Sequence, residues 1–359
     1  MTLGIAGAIL AASTIVGTLA PAAVARCIDR WGPRRVVVLA QLLQALGMIV
    51  YLMARDIPLA VTAAVLTAAG VQSFYSALGA MTSEAAHEED RDRAFATVNM
   101  GRTAAFGAGG LAGGILLGVP DDGGLVACVV VNAATFLIAS AVLAVAAPPT
   151  RPTPVGAKTQ DVSVWAPLRN RAFLLLCSVA FLLFLSVDLF LVLMPLYAEG
   201  ALGVPGWAVG VSIAVNTGLG AVAGTWAVAR TKELSRSTNM VMAAALLTGW
   251  GVGMALLLVL PSEFRPIVLI AVTMLLSGGS LLGGPRVFSA LAELAPPEQK
   301  GAYFSLFQYS FTAAALVAPL FSGLIPFAPW APWAMNATLV VLALPAINAL
   351  RKSVPLAAL

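Results

Sequence analysis

A short charged hinge, Ala25-Arg26-Cys27-Ile28-Asp29-Arg30-Trp31-Gly32-Pro33-Arg34-Arg35, separates two long apolar runs and sharply limits what this chain can fold into. Positions 26 to 35 carry five charges, four of them arginines, in a chain with only 10% charged residues. A basic excess in a short loop between membrane spans marks the cytoplasmic side of a bilayer. If the hinge is such a loop, the rest of the chain must read as further spans and the basic residues must keep to one side.

Composition meets the first condition. The chain is 60% hydrophobic with a mean hydropathy of +0.94, against roughly 45 to 50% apolar residues in soluble domains. Runs near the length of about 20 residues that crosses a bilayer occur at 2–25, 36–54, 57–81, 94–119, 123–147, 172–198, 206–229, 239–260, 266–292, 301–325 and 331–350. The expectation is an all-α polytopic membrane protein with eleven spans. Residues 2–25 do not read as a targeting peptide, because the apolar run is too long and no basic segment precedes it.

Basic residues meet the second condition. Loops on the hinge's side, with the carboxyl-terminal tail, hold sixteen lysines and arginines, and the opposite loops hold only Arg55 and Arg265. That asymmetry places the carboxyl terminus in the cytoplasm. The longest apolar break, 148–171, contains Pro148, Pro149, Pro152 and Pro154 with four basic residues. It reads as a cytoplasmic linker between an amino-terminal bundle, 1–147, and a carboxyl-terminal bundle, 172–352.

The two bundles carry an internal repeat. A shift of 209 residues places Glu84 on Glu293, Glu89 on Glu298, Arg91 on Lys300, Phe95 on Phe304, Asn99 on Gln308, Gly114 on Gly323 and Pro120 on Pro329. A shift of 204 places Ala23-Val24-Ala25-Arg26 on Ala227-Val228-Ala229-Arg230 and Asp29 on Glu233. Residues 230–238 are thus a degraded copy of the hinge. Duplicated halves of this kind are common in transporters.

The hinge spacing Asp29-Arg30-x-Gly32-x-Arg34-Arg35 resembles the loop after the second helix of major facilitator superfamily transporters. That resemblance covers nearly the whole chain. It implies a two-bundle fold of 6 + 6 helices, with this sequence beginning inside the second of them. It also implies that Asp29 meets the amino-terminal end of the span starting near Gly301, where helix dipole and free amides favour a carboxylate. Asp29, Arg30, Gly32, Arg34 and Arg35 are the expected gating motif, and the arginines can alternatively serve only as topology anchors. The run from Gly109 through Gly113 and Gly114 is similar to the glycine-rich fifth helix of drug antiporters, with these glycines expected in helix packing. Gly110 replaces that motif's proline, and Leu66 stands where antiporters carry an arginine four residues before Gly70.

Ionisable residues inside spans are costly and mark candidate functional positions. Asp188, midway along its span, is a candidate proton carrier or counter-charge for a cationic substrate, or alternatively an acid reaching outer water. Arg102 and Arg286 either snorkel to the interface or line a positive inner vestibule. Gln72, Asn99, Asn216 and Gln308 are candidates for substrate hydrogen bonds or for helix packing. The stretch Glu84 to Asp92 reads as a solvated acidic loop.

Phosphate-loop, HExxH, GxSxG and paired-cysteine motifs do not occur in the sequence, so neither ATP-driven transport by this chain nor common hydrolase chemistry finds support. Cys27, Cys128 and Cys177 are widely spaced, and the single His87 lies in a polar loop, so no metal or other cofactor is implied. The net charge of +4 sits in cytoplasmic loops and does not point to nucleic acid. Together with the resemblance, these readings imply a monomeric secondary transporter in a bacterial plasma membrane, with lipid, a small organic substrate and protons as its partners. Export coupled to protons is the first expectation, uptake by symport the second, and a non-transporting assembly partner the third.

Overall fold

The structure is a computed structural model and describes residues 23–117, 123–146 and 164–353. Among these residues every regular element is helical: α1 (23–31), α2 (Pro33–Met53), α3 (Ile57–Ala85), α4 (Arg91–Leu117), α5 (Gly123–Ala146), α6 (Arg171–Gly200), α7 (Gly206–Val222), α8 (Gly224–Arg230), α9 (Arg236–Leu256), α10 (Arg265–Leu294), α11 (Lys300–Val317), α12 (Ala331–Val341) and α13 (Ala343–Ser353). The expected span at 2–25 falls outside the described residues as far as position 22, as do most of the linker and the tail beyond position 353.

Eight of the described helical segments are long and apolar enough to cross a membrane, or nine if α7 and α8 count as one. Helix α4 has the length, at 27 residues, but Arg102 and its many glycines leave it less apolar. The expected runs are otherwise helical, and three breaks have a clear local cause. Between α7 and α8 the axis turns by 62° at Ala223, where Gly220 and Gly224 flank the break and a Cβ on either would collide with Thr103 or Met100 of α4. After α11 the chain tightens into 3₁₀ turns from Ala318 to Leu324, because Pro319 has no amide hydrogen to continue the α pattern. Helices α12 and α13 part at Leu342, just before Pro345, whose ring would strike the carbonyl four residues back.

Helix starts follow local chemistry. Asn170 caps α6 by accepting from the Ala172 and Phe173 amides at 3.0 and 3.3 Å, and Ser235 caps α9 by accepting from the Thr238 amide at 3.1 Å. At the hinge, Gly32 has φ 80°, which a side-chain-bearing residue rarely adopts. Pro33 follows at the first position of α2, where its missing amide hydrogen is harmless. The helical path is thus broken between α1 and α2 at a single residue.

Two compact units emerge, and neither follows a single stretch of sequence. The first comprises Met1–Ala85, Ala108–Arg169 and Ala295–Tyr309, and the second Ala86–Gly107, Asn170–Leu294 and Ser310–Leu359. In the first, α2 packs against α3 and α5. In the second, α10 packs against α9, α7 and α6, while α12 and α13 cover α9 and α6. Each unit therefore includes a piece from the other side of residues 148–171. Those exchanged pieces, 86–107 and 295–309, are related by the 209-residue repeat.

The core of the second unit is built on aromatic packing and close helix contacts. Trp250 and Trp333 are fully buried and meet edge to face at 5.5 Å, and Tyr197 packs on Trp333 at 5.0 Å while its hydroxyl donates to the Met254 carbonyl at 2.9 Å. Beside them Gly251 lets α9 approach α12 so closely that a Cβ would sit 2.9 Å from the Trp333 carbonyl oxygen. A valine there cannot be absorbed by rotating a flexible side chain. Gly251→Val should cost about 2 kcal/mol and lower the melting temperature in detergent by about 4 °C or more. An unchanged melting temperature would contradict this packing.

Candidate functional site

Asp29 ends its helix beside the first turn of α11. Its Oδ1 accepts a hydrogen bond from the Gly301 amide at 2.7 Å. The amides of a helix's first turn have no intrahelical partners, and the dipole adds positive potential there. Gly301 is a requirement of the contact: a Cβ would lie 2.5 Å from the Ala25 carbonyl oxygen, 2.6 Å from Asp29 Oδ1 and 2.8 Å from Ile28 Cβ. Ala25 and Ala302 are both buried in the same small apolar cluster, with Val164. Burial pushes the Asp29 carboxyl up to about 6, the Gly301 and Ala302 amides oppose that rise, and nearby Glu84 adds to it.

The other hinge residues divide by role. Arg34 donates to the carbonyls of Leu143 at 3.2 Å and Ala144 at 2.8 Å, satisfying the last turn of α5 where a cation suits the dipole. Arg30 and Arg35 are exposed, and Gly32 supplies the positive φ described above.

A second charged cluster lies in the other unit, at the ends of α8, α9, α10 and α4. Arg236 pairs with Glu293 and, through Nε at 3.4 Å, with Asp92. Arg286, only 1% exposed in its side chain, brings Nε to 3.5 Å from the other Asp92 oxygen. Its Nη2 donates to Thr231 Oγ1 at 2.8 Å and to the Val228 carbonyl at 3.4 Å. This revises two readings from the sequence. Arg286 neither snorkels nor stands free in a vestibule, because Asp92 and a helix carboxyl end hold it. The acidic stretch is not wholly solvated either: His87 and Glu89 are exposed, but Asp92 turns inward to two arginines.

The two clusters are repeat-related in place and different in chemistry. Glu84 and Glu293 end α3 and α10, while Lys300 and Arg91 begin α11 and α4. Glu233, the repeat partner of Asp29, is 86% exposed and pairs only with Lys232, at 3.6 Å, among the described ion pairs. Arg236 bonds the neighbouring helix ends in its stead. Nothing in the sequence signalled that Asp92, Arg236 and Glu293 bond to one another, although the repeat alignment of Glu84 with Glu293 pointed to that place.

The remaining candidates are dispersed. Arg102 donates to Asn99 Oδ1 at 2.9 Å within α4, and Asn216 accepts from Ser277 Oγ at 2.9 Å, joining α7 to α10. Gln308 is buried in α11, and Gln72 is half-buried in α3. Asp188 sits at mid-helix in α6, half-buried, with no hydrogen bond or ion pair among the described residues. At Gly109 and Gly113 a Cβ would meet no described atom within 4 Å, and Gly114 lies beyond the described side-chain environments. Close approaches to a neighbouring backbone fall instead at Gly47, Gly70, Gly251, Gly279 and Gly301. Among the described residues no three His, Cys, Asp or Glu side chains gather closely enough to hold a metal ion.

The sequence matches the family described as Major Facilitator Superfamily over residues 1–319, and the chain belongs to that superfamily of membrane transport proteins. No curated protein sequence matches it. Among solved structures, a bacterial homologue of the iron transporter ferroportin in an outward-facing state is similar with a TM-score of 0.78 at 18% identity, covering 98% of this chain and 91% of that one. The E. coli fucose:proton symporter gives 0.74 at 14% identity over 97% and 91%. The proton:xylose symporter bound to a bromodeoxyglucose gives 0.73 at 13% identity over 95% and 85%. These likenesses establish the fold.

The raised carboxyl gives the Asp29 contact a pH dependence. An exposed Asp29 titrates near its ordinary value of 3.8, and in contact with Gly301 near 6, so the contacted state binds the proton more tightly. Protonation therefore favours the contact, which weakens as pH rises through about 6. Hydrogen exchange across residues 298–304, corrected for intrinsic rates, should show more protection at about pH 5 than at about pH 7.5. Asp29→Asn should remove the difference, and equal protection in the wild type would contradict it.

Proposed function

We propose that this superfamily member is a secondary active transporter that exports a small organic molecule in exchange for protons, by alternating exposure of a central site between its two sequence halves. The observation that carries the reading is the Asp29–Gly301 contact. It ties the end of a first-half helix to the first turn of a second-half helix through one carboxylate and one amide. Such a bond is strong enough to favour one arrangement and weak enough to break in each cycle. The Asp92–Arg236–Glu293–Arg286 cluster ties the halves at the repeat-related place. Two bonded positions of this kind suit a rocking motion of duplicated halves. The hinge arginines, the basic loops and the carboxyl terminus then face the cytoplasm of a bacterial plasma membrane.

Proton-coupled uptake is the second reading, favoured by the two proton symporters among the similar folds. The sign of proton movement separates the two. In proteoliposomes holding a pH-sensitive dye, solute entry by antiport makes the lumen more alkaline, and entry by symport makes it more acidic. We expect alkalinisation, driven by an imposed pH gradient. We also expect Asp29→Asn to cut flux at least about tenfold at unchanged protein abundance, because a neutral acceptor keeps the contact without the cost of burying a charge. Acidification would establish the symport reading. Full flux in Asp29→Asn would remove the contact from the transport cycle.

A further inference from the structure

A column of four aromatic rings runs through the second unit. Phe95 of α4 stacks on Phe288 of α10 at 5.3 Å and 21°. Phe288 stacks on Phe311 of α11 at 6.0 Å and 29°. Phe311 lies against Phe184 of α6 at 3.5 Å and 17°. The column begins beside the charged cluster, three residues from Asp92, and ends at the middle of α6. One helical turn beyond Phe184, on the same face, stands Asp188.

That face of α6 is turned toward α11. Cys177, seven residues before Phe184, accepts from Ser310 Oγ at 3.1 Å, and Phe184 itself meets Phe311. Asp188 continues the same line of positions, and α11 continues past Phe311 with the small residues Ala313, Ala314 and Ala315. The polar pair on the opposite face, Ser186 and Asn336 at 3.2 Å, does not reach it. Arg286 of α10 is held by Asp92 and Thr231.

We infer that Asp188 and the rings of Phe184 and Phe311 form a binding site for a lipophilic organic cation, a proposal that rests on the transport reading above and names the substrate class. A carboxylate at membrane depth without a cationic partner invites one from outside. The aromatic rims beside it pack edge to face with the phenyl groups of a cation whose charge is spread over them, and bury its hydrocarbon surface. In such low-dielectric surroundings the same carboxylate repels an anion of identical shape.

Tetraphenylphosphonium and tetraphenylborate share a shape and differ in sign, so they test the inference directly. Calorimetric titration of the purified full chain in detergent, with empty micelles as the blank, should show saturable binding of the cation and none of the anion. Asp188→Asn should weaken cation binding at least about tenfold, and Phe184→Leu and Phe311→Leu, which lose aromatic packing against the ligand, each about three- to tenfold. Asp188→Glu should retain binding, with melting temperature and a monodisperse gel-filtration peak confirming that each variant is folded. Equal binding of the borate, no saturable binding of the phosphonium, or unchanged affinity in folded Asp188→Asn would overturn the site. Because binding is read without flux, a chain that transports another solute but fails this titration loses only the cation site. A chain that binds the phosphonium yet moves nothing faster than protein-free vesicles loses only the transport reading.

Discussion

One hydrogen bond, from the Gly301 amide to the Asp29 carboxylate, depends on every feature of the hinge. It needs a helix start with free amides, a residue with no Cβ at that start, and a carboxylate at the end of α1. Gly32 and Pro33 then end α1 and begin α2 within one residue of each other. Arg34 fastens the far side of the turn to the last carbonyls of α5. The charge density that marked this segment as a loop is thus divided. Asp29 and Arg34 make specific bonds, and Arg30 and Arg35 meet solvent.

Duplication placed the same problem at a second position, and the chain solved it differently. Where the first copy sets a carboxylate against backbone amides, the second sets Arg236 between Asp92 and Glu293, with Arg286 behind them. The two solutions respond differently to conditions. A carboxylate on an amide is tuned by protonation, whereas ion pairs involving a nearly buried arginine hold until one partner is removed. Each compact unit contains a segment from the other sequence half. A rearrangement that separates the halves therefore breaks bonds inside both units.

Much of this was legible in the residues, for identifiable reasons. The spans and their helical character follow from length and hydropathy, and α4 is the instructive exception, where Arg102 and glycines dilute a real helix. The hinge contact was legible because its motif has a known geometry and Gly301 opens the matching span. Arg286 was not, because its partner Asp92 lies in a stretch whose repeat copy, Pro296-Pro297-Glu298-Gln299, had lost most of its acids. Only packing shows that one of the remaining acids turns inward. The ring column was invisible for a different cause: Phe95, Phe184, Phe288 and Phe311 come from four helices, and no periodicity links them. The glycines at 109 and 113 illustrate the converse, since a dense local pattern does not reveal which backbone, if any, comes close.

The central claim is that the carboxylate–amide bond holds first-half and second-half helices in one arrangement that transport must leave. Spin labels at the exposed positions 30 and 298, in a chain with its three native cysteines replaced by serine, measure that arrangement as a distance distribution. With Asp29 and Gly301 intact, the account predicts a dominant short distance. Gly301→Val, which leaves no room for α1 against α11, should move the population to longer distances. The same distribution in both proteins would contradict the account.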